Sequence, residues 1–208
     1  MKADEAISQW AQQGENAVPV PWDRMPEIDL YMDQVLTYMH RQLSLFERSE
    51  DNPLLTSSMI NNYVKSGVLE RPEKKKYSKN HLATLMVICM LKQVLSLQDI
   101  SALLQPWLEA DGSRQSLYET YSQAHTEAVQ QVCRRVEDCV PQGEEALRRL
   151  AMELAVEANA RRAAAERILC ELEAAEKAES EKAEKKDKKS HGESEASEFS
   201  YGLSEKSK

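Results

Sequence analysis

Short polar side chains and positive charges are concentrated between residues 56 and 76. Asparagine can form a bidentate hydrogen bond with adenine, serine can bond to several bases, and lysine or arginine can neutralise phosphates. These side chains therefore predict contacts with double-stranded DNA. The candidate DNA-binding residues are Thr56, Ser57, Ser58, Asn61, Asn62, Lys65, Arg71, Lys74, Lys75 and Lys76. The alternative is that the asparagines are ordinary surface residues and the lysines a solvated loop, because short motifs of this kind recur by chance.

The charge distribution favours local rather than general binding of a polyanion. The 208-residue chain has a formal net charge of −8. The stretch from Leu55 to Leu104 carries seven basic and three acidic residues, so its own charge is +4. An acidic chain with a basic segment is expected to contact nucleic acid through that segment alone.

Three predicted helices position the polar residues. Thr56 can cap the first helix, whose apolar face includes Ile60 and Tyr63 and which ends at Gly67. Ser78 opens the second helix, which is apolar enough to be buried. Ser96 begins the third with Asp99 three residues later, the spacing of a capping box. Pro106 followed by Asp111-Gly112 is expected to close the stretch.

The remaining chain is predicted to be helical up to its polar tail. Residues 1–25 are read as a short helix or an adaptable arm, and a helix is expected from Pro26 to about Leu45. Two further helices are expected within 106–177, over Leu117–Val140 and Glu144–Lys177. Lysine, glutamate and serine dominate residues 178–208, which predicts a disordered tail.

The sequence lacks the usual motifs of enzymes. No phosphate-binding glycine loop, GxSxG or HExxH is present, so we expect no catalytic residues and no cofactor. His125, Cys133 and Cys139 could be imagined as metal ligands, but two cysteines six residues apart share a helix face poorly, and packing is favoured. With no secretory signal or transmembrane run, a cytoplasmic protein without a membrane partner is expected.

A resemblance covers about residues 26–105. The segments that carry it are MINNYVKSGVL, KKKYS, HLATLMVICMLK and LSLQDISALL, in this order. They resemble the winged helix-turn-helix of MerR-type regulators at Tyr63, Gly67-Val68-Leu69, Tyr77-Ser78 and Ser96–Ile100. The segment PEIDLYMDQV and those after it are more closely similar to an uncharacterised bacterial domain-of-unknown-function family, distantly related to MerR. Asn61 stands where MerR proteins commonly have arginine, which implies a preference for different bases.

This resemblance implies an all-α protein with a MerR-like domain at 26–105, long helices at 106–177 and a disordered tail. It implies sequence-specific DNA binding by a bacterial transcriptional regulator, with Thr56–Lys65 in the major groove and the basic loop as a wing on the backbone. The alternative is a helical protein–protein interaction module without nucleic-acid binding. An apolar seam in the 144–177 helix predicts a homodimer or, equally, packing within the chain on Leu117–Val136.

Overall fold

The computed structural model describes residues 2–47, 53–109 and 113–201, with side chains described at all of these except 109, 113 and 180–201. The helices are α1 (Ala3–Glu15), α2 (Met32–Leu43), α3 (Ser57–Lys65), α4 (Lys79–Leu91), α5 (Leu97–Glu109), α6 (Ser113–Cys139) and α7 (Glu144–Tyr201). Short 3-10 turns occupy Trp22–Arg24, Ser44–Phe46 and Val140–Gln142, and the strands are β1 (Leu30–Tyr31) and β2 (Lys76–Tyr77). The predicted all-α class is confirmed.

The chain divides into two compact units, residues 1–163 and residues 164–208. The first contains α1 to α6 and the first part of α7. The second contains the remainder of α7, where Arg167 pairs with Glu171 and Lys177 with Glu173 along the helix surface. Such exposed pairs at i, i+4 spacing add only a few tenths of a kcal/mol each.

Helix α4 lies at the centre of the first unit. It is buried on every side from His81 to Cys89, as expected of a helix that is apolar all round. It packs against α6, α2 and β2. Tyr118 of α6 reaches this core, where its hydroxyl donates to the Val20 carbonyl at 2.7 Å and lies 3.3 Å from the Met86 sulfur.

The two strands join distant parts of the chain. They pair antiparallel, with Leu30 opposite Tyr77 and Tyr31 opposite Lys76. The hairpin before α4 is therefore tied to the segment that leads into α2.

A second apolar cluster forms where α1 packs along α6. Its buried members are Ala11, Cys133, Val136, Cys139 and Leu150. At its edge the Gln130 side chain donates to the Glu15 carbonyl at 3.5 Å. Residues 1–25 thus contain a packed helix, which corresponds to the first of the two possibilities considered from the sequence.

The start of α2 and the end of α5 differ from those predicted. The helix expected from Pro26 begins at Met32, because Leu30 and Tyr31 are extended in β1 and the Tyr31 N–H donates to the Gln34 side chain at 2.9 Å. Ile28, which precedes β1, is 72 % exposed. Pro106 lies inside α5, which continues to Glu109, and Asp111-Gly112 lie outside the described residues. Proline removes one helical hydrogen bond, but Trp107 and Leu108 beyond it are half-buried, which favours continuation.

Helix α7 also extends further than the sequence suggested. Its backbone is helical to Tyr201, across most of the segment 178–208 for which disorder was predicted. Glutamate, lysine and alanine have high helix propensity, and extending an existing helix avoids the cost of nucleation. Residues 202–208 lie outside the described residues.

Candidate nucleic-acid interface

Helix α3 has one buried and one exposed face. Thr56 precedes it in an extended conformation, and its Oγ1 accepts a hydrogen bond from the Met59 N–H at 3.2 Å, which confirms the predicted cap. Ile60 and Tyr63 are buried against the core. The exposed face carries the other candidate residues of the helix, namely Ser57, Ser58, Asn61, Asn62 and Lys65. The structure therefore places all five on one accessible surface.

The turn after α3 is held by local hydrogen bonds. The Ser66 N–H donates to the Asn62 carbonyl at 2.9 Å, and the Leu69 N–H donates to the Tyr63 carbonyl at 3.1 Å. Gly67 has a φ of +80°, so the predicted left-handed stop is confirmed. Val68 and Leu69 are buried immediately afterwards, which anchors the chain before the basic loop.

The basic loop is a tight hairpin, here called the wing (residues 71–77). The Lys76 N–H donates to the Glu73 carbonyl at 2.8 Å and closes a four-residue turn. Lys74 and Lys75 occupy its two central positions with φ values of +48° and +63°. Positive φ at both central residues is typical of a type I′ turn, in which Asn-Gly is the preferred pair. Both lysine side chains are exposed.

Lys76 differs from the two lysines at the tip. It belongs to β2 and is half-buried, and its ammonium lies 5.3 Å from the centre of the Tyr31 ring. This geometry is that of a cation–π contact. The structure thus places Lys76 at the root of the wing, whereas Arg71, Lys74 and Lys75 are exposed on it.

The remaining cations of the +4 segment are engaged elsewhere. Lys79 pairs with Glu27 and also lies 5.0 Å from the centre of the Trp22 ring. Lys92 donates to the Leu95 carbonyl at 3.3 Å. The positive charge available for phosphates is therefore concentrated at Lys65, on α3, and on the wing.

His81 sits beneath the wing at the start of α4. Its Nδ1 accepts a hydrogen bond from the Ser78 N–H at 3.0 Å and lies 2.8 Å from the Ser78 hydroxyl, so a histidine closes the cap at the start of α4. The ring meets Tyr77 edge-on, with centres 5.6 Å apart. Burial lowers the pKa of His81 below its ordinary value, and the Arg114 guanidinium acts in the same direction. The Glu70 carboxylate and backbone hydrogen bonds with Glu70 and Arg71 raise the pKa. A neutral imidazole fits both the burial and the acceptor role of Nδ1.

The residues weighed as metal ligands have packing contacts. His125 lies between Phe46 and Tyr121, with ring centres 5.1 and 5.4 Å away. Cys133 and Cys139 are both buried in the cluster between α1 and α6. Across the described residues, no group of three or more His, Cys, Asp or Glu side chains is arranged to hold a metal ion.

Residues 20–124 match the family described as "Domain of unknown function (DUF1836)". The chain belongs to this family. The matched region includes β1, α2, α3, the wing, α4 and α5, and it ends within α6. The domain-of-unknown-function assignment made from the sequence is thereby confirmed. Comparison with curated proteins and with solved structures gave no match.

In the part of the chain that is described, no helix has the length and apolar character needed to cross a bilayer.

Sequence reasoning missed two contributors to this region. Asp29 and His81 line a cavity at the wing base, yet neither belongs to the candidate set. The signal for His81 was its position three residues after Ser78, where a capping box usually has Glu or Gln. No comparable signal marks Asp29, because its proximity depends on the pairing of β1 with β2.

Proposed function

We propose that this protein binds double-stranded DNA in a sequence-specific manner and acts as a transcriptional regulator in a bacterial cytoplasm. In this proposal the domain works as a MerR-like winged helix-turn-helix. Helix α3 enters the major groove, and the wing contacts the phosphate backbone.

The observation that carries the proposal is the pair of lysines at the wing tip. A left-handed conformation costs a non-glycine residue about 1–2 kcal/mol. Lys74 and Lys75 both adopt this left-handed conformation, although Asn-Gly at the same two positions would avoid most of that cost. Strain that persists at an exposed, charged turn supports a functional role for these side chains.

Helix α3 provides the complementary support. Its apolar side is taken up by the core through Ile60 and Tyr63, so the helix orientation is constrained by burial. The opposite side presents Asn61 and Asn62, whose amides suit adenine, next to Lys65, whose charge suits a phosphate. A base-reading surface and a charge-neutralising surface thus follow each other directly in the chain.

The decisive experiment is a salt series with a charge-removing variant. Lys74→Gln with Lys75→Gln removes two charges from the wing tip. A control, Lys2→Gln with Arg24→Gln, removes two charges from exposed positions far from the wing in sequence. A DNA duplex that binds the full chain is first obtained by in vitro selection. The affinity of each protein for that duplex is then measured by fluorescence anisotropy at salt concentrations from about 50 to 200 mM.

The wing variant is expected to weaken binding to all duplexes alike and to make the slope of log affinity against log salt shallower by about 1.8, because each phosphate contact contributes about 0.9. The control should leave the slope unchanged. Equal slopes for the wing variant and the unmodified protein would remove the wing from the interface. If selection enriches no duplex at all, the helical interaction module becomes the better account.

A further inference from the structure

The root of the wing has one face toward the core and one toward solvent. Tyr31 of β1 is paired with Lys76 of β2, and Lys76 in turn bridges to Glu73 in the hairpin. Residues directly opposite each other on paired strands point to the same face, so these three side chains share one face. The neighbouring pair, Leu30 and Tyr77, is 8 % and 3 % exposed and therefore points to the core. The face that carries Tyr31 is the outer one.

Tyr31 is the aromatic member of this outer face. A single exposed aromatic residue is ordinary on a protein surface, but this one is held in place by a cation. The side chain is 51 % exposed, and the Lys76 ammonium lies 5.3 Å from the centre of its ring. The contact brings a hydroxyl donor and a positive charge together, and both are groups that bind phosphate oxygens in protein–DNA complexes.

The ring is also close to the lysines of the wing tip. Lys74 and Lys75 directly precede Lys76 in the chain. At about 3.3 Å per residue, plus about 5 Å to the opposite strand, the backbone at Tyr31 is within about 12 Å of both. Successive phosphates of one DNA strand are about 3.4 Å apart along the duplex axis, so this spacing suits phosphates of a single strand up to about three positions apart.

We propose that Tyr31 is a phosphate contact of the DNA complex, in which its hydroxyl donates to a backbone oxygen while Lys76 holds the ring. This inference rests on the proposed DNA binding, and it adds to the wing a contact from β1. The contact differs in kind from those of the lysines. A lysine that neutralises a phosphate releases a counterion, whereas a neutral hydroxyl releases none.

The test removes single hydroxyl groups from the full chain and uses the duplex obtained by selection. Tyr31→Phe keeps the ring and its contact with Lys76 but lacks the donor. Tyr38→Phe is the matched control, because it makes the same chemical change at a hydroxyl that is buried. Affinity is measured by fluorescence anisotropy over the same salt series, and melting by circular dichroism.

Tyr31→Phe is expected to bind about tenfold more weakly at every salt concentration, because a hydrogen bond to a charged group is lost. The slope of log affinity against log salt should not change, since no charge is removed. The melting temperature should also stay the same. Tyr38→Phe should bind as the unmodified protein does.

Modified DNA identifies the group that the hydroxyl contacts. A methylphosphonate, placed at one linkage at a time, replaces a charged phosphate oxygen by a methyl group. At one linkage it should weaken binding of the unmodified protein clearly more than binding of Tyr31→Phe, because both changes remove the same hydrogen bond.

Equal affinity of Tyr31→Phe and the unmodified protein would overturn the proposal, and so would a loss of affinity that is not coupled to any linkage. Either result leaves DNA binding itself standing. If selection enriches no duplex, DNA binding fails and this contact fails with it. The failure of this proposal alone and the failure of DNA binding are therefore distinguishable.

Discussion

Gly14 of α1 faces Cys133 of α6 so closely that a Cβ atom on Gly14 would lie 2.6 Å from the Cys133 sulfur. Cys133 is completely buried, and α1 and α6 pack against each other along this contact. The absence of a side chain at Gly14 therefore sets the approach of the two helices.

Gly14→Ala is expected to destabilise the protein. Overpacking typically costs 1–3 kcal/mol, while alanine regains up to about 1 kcal/mol of helix propensity, so a net loss of about 1 kcal/mol is expected. Thermal unfolding followed by circular dichroism measures it. Gln13→Ala, at an exposed position of the same helix, should change stability by less than about 0.5 kcal/mol.

A second substitution identifies the cause. Cys133→Ala in the Gly14→Ala background shortens the side chain that the new methyl group meets. The double variant should lose less stability than the sum of the two single variants. Additive losses would mean that the Gly14 contact does not limit the packing of α1 on α6.

Tyr63 is expected to respond differently to two substitutions. Its ring is buried, its hydroxyl has no hydrogen-bond partner among the described residues, and burial raises its pKa to about 12. Tyr63→Ala should cost roughly 3–5 kcal/mol, because it leaves a large cavity in the core. Tyr63→Phe keeps the ring and removes an unsatisfied hydroxyl, so it should be neutral or stabilising. Denaturant unfolding compares them, and a large loss for Tyr63→Phe would show that the hydroxyl is bonded in solution.

Asn61 and Asn62 are expected to affect base preference without affecting folding. Both side chains are exposed, so alanine at either position should leave the melting temperature within about 1 °C. At least one variant should lose about 1–3 kcal/mol of discrimination at one base position. Sequencing of selected DNA pools gives the profile for each variant. Identical profiles for both variants and the unmodified protein would show that α3 does not read bases.

At the wing tip, the stability of the protein and its affinity for DNA are expected to favour different residues. Lys74→Asn with Lys75→Gly supplies residues suited to positive φ, so stability should rise by about 1–2 kcal/mol while DNA affinity falls. Lys74→Gln with Lys75→Gln removes the same charges but keeps the strain, so its melting temperature should not rise. Differential scanning calorimetry of both variants separates the two effects, and equal melting temperatures would show that the turn is not strained.

Self-association through α7 stays a prediction, and its test must leave the core of the first unit intact. Leu150 of α7 is buried in the cluster between α1 and α6, so a truncation before α7 would also damage that core. Ile168 and Leu172 are 60 % and 55 % exposed one helical turn apart. In sedimentation velocity, the unmodified chain should run at about twice its 23.7 kDa, and Ile168→Ser with Leu172→Ser as a monomer. A monomeric unmodified chain at micromolar concentration would end the dimer hypothesis.

The structural features that the sequence predicts correctly depend on residues close to one another in the chain. Thr56, Gly67 and the pair Ser96–Asp99 act on backbone groups within a few positions of themselves, and their hydrogen bonds or dihedral angles are as expected. The burial of Tyr63 beside exposed asparagines follows equally from helical periodicity. Local chemistry was sufficient for these features.

The structural features that the sequence does not predict depend on contacts between residues far apart in the chain or on backbone strain. The pairing of Leu30 with Tyr77 shortened the helix expected from Pro26, and nothing near Leu30 indicates its partner. The turn at Lys74 and Lys75 has the opposite composition to that preferred by its geometry. The sequence does not indicate the charged cavity at the wing base either, because this cavity brings Asp29 together with residues more than 40 positions later in the chain.

The packing of α1 on α6 has a consequence during synthesis. Glu15 and Gln130, which are bonded in the folded protein, are 115 residues apart in the chain. At about 5–20 residues per second, roughly 6–23 s pass between the emergence of one and of the other from the ribosome. The apolar side of α1 must remain without its partner for that time. Nascent chains halted before residue 129 should therefore be more readily bound by chaperones and cut by proteases near α1 than chains released at full length.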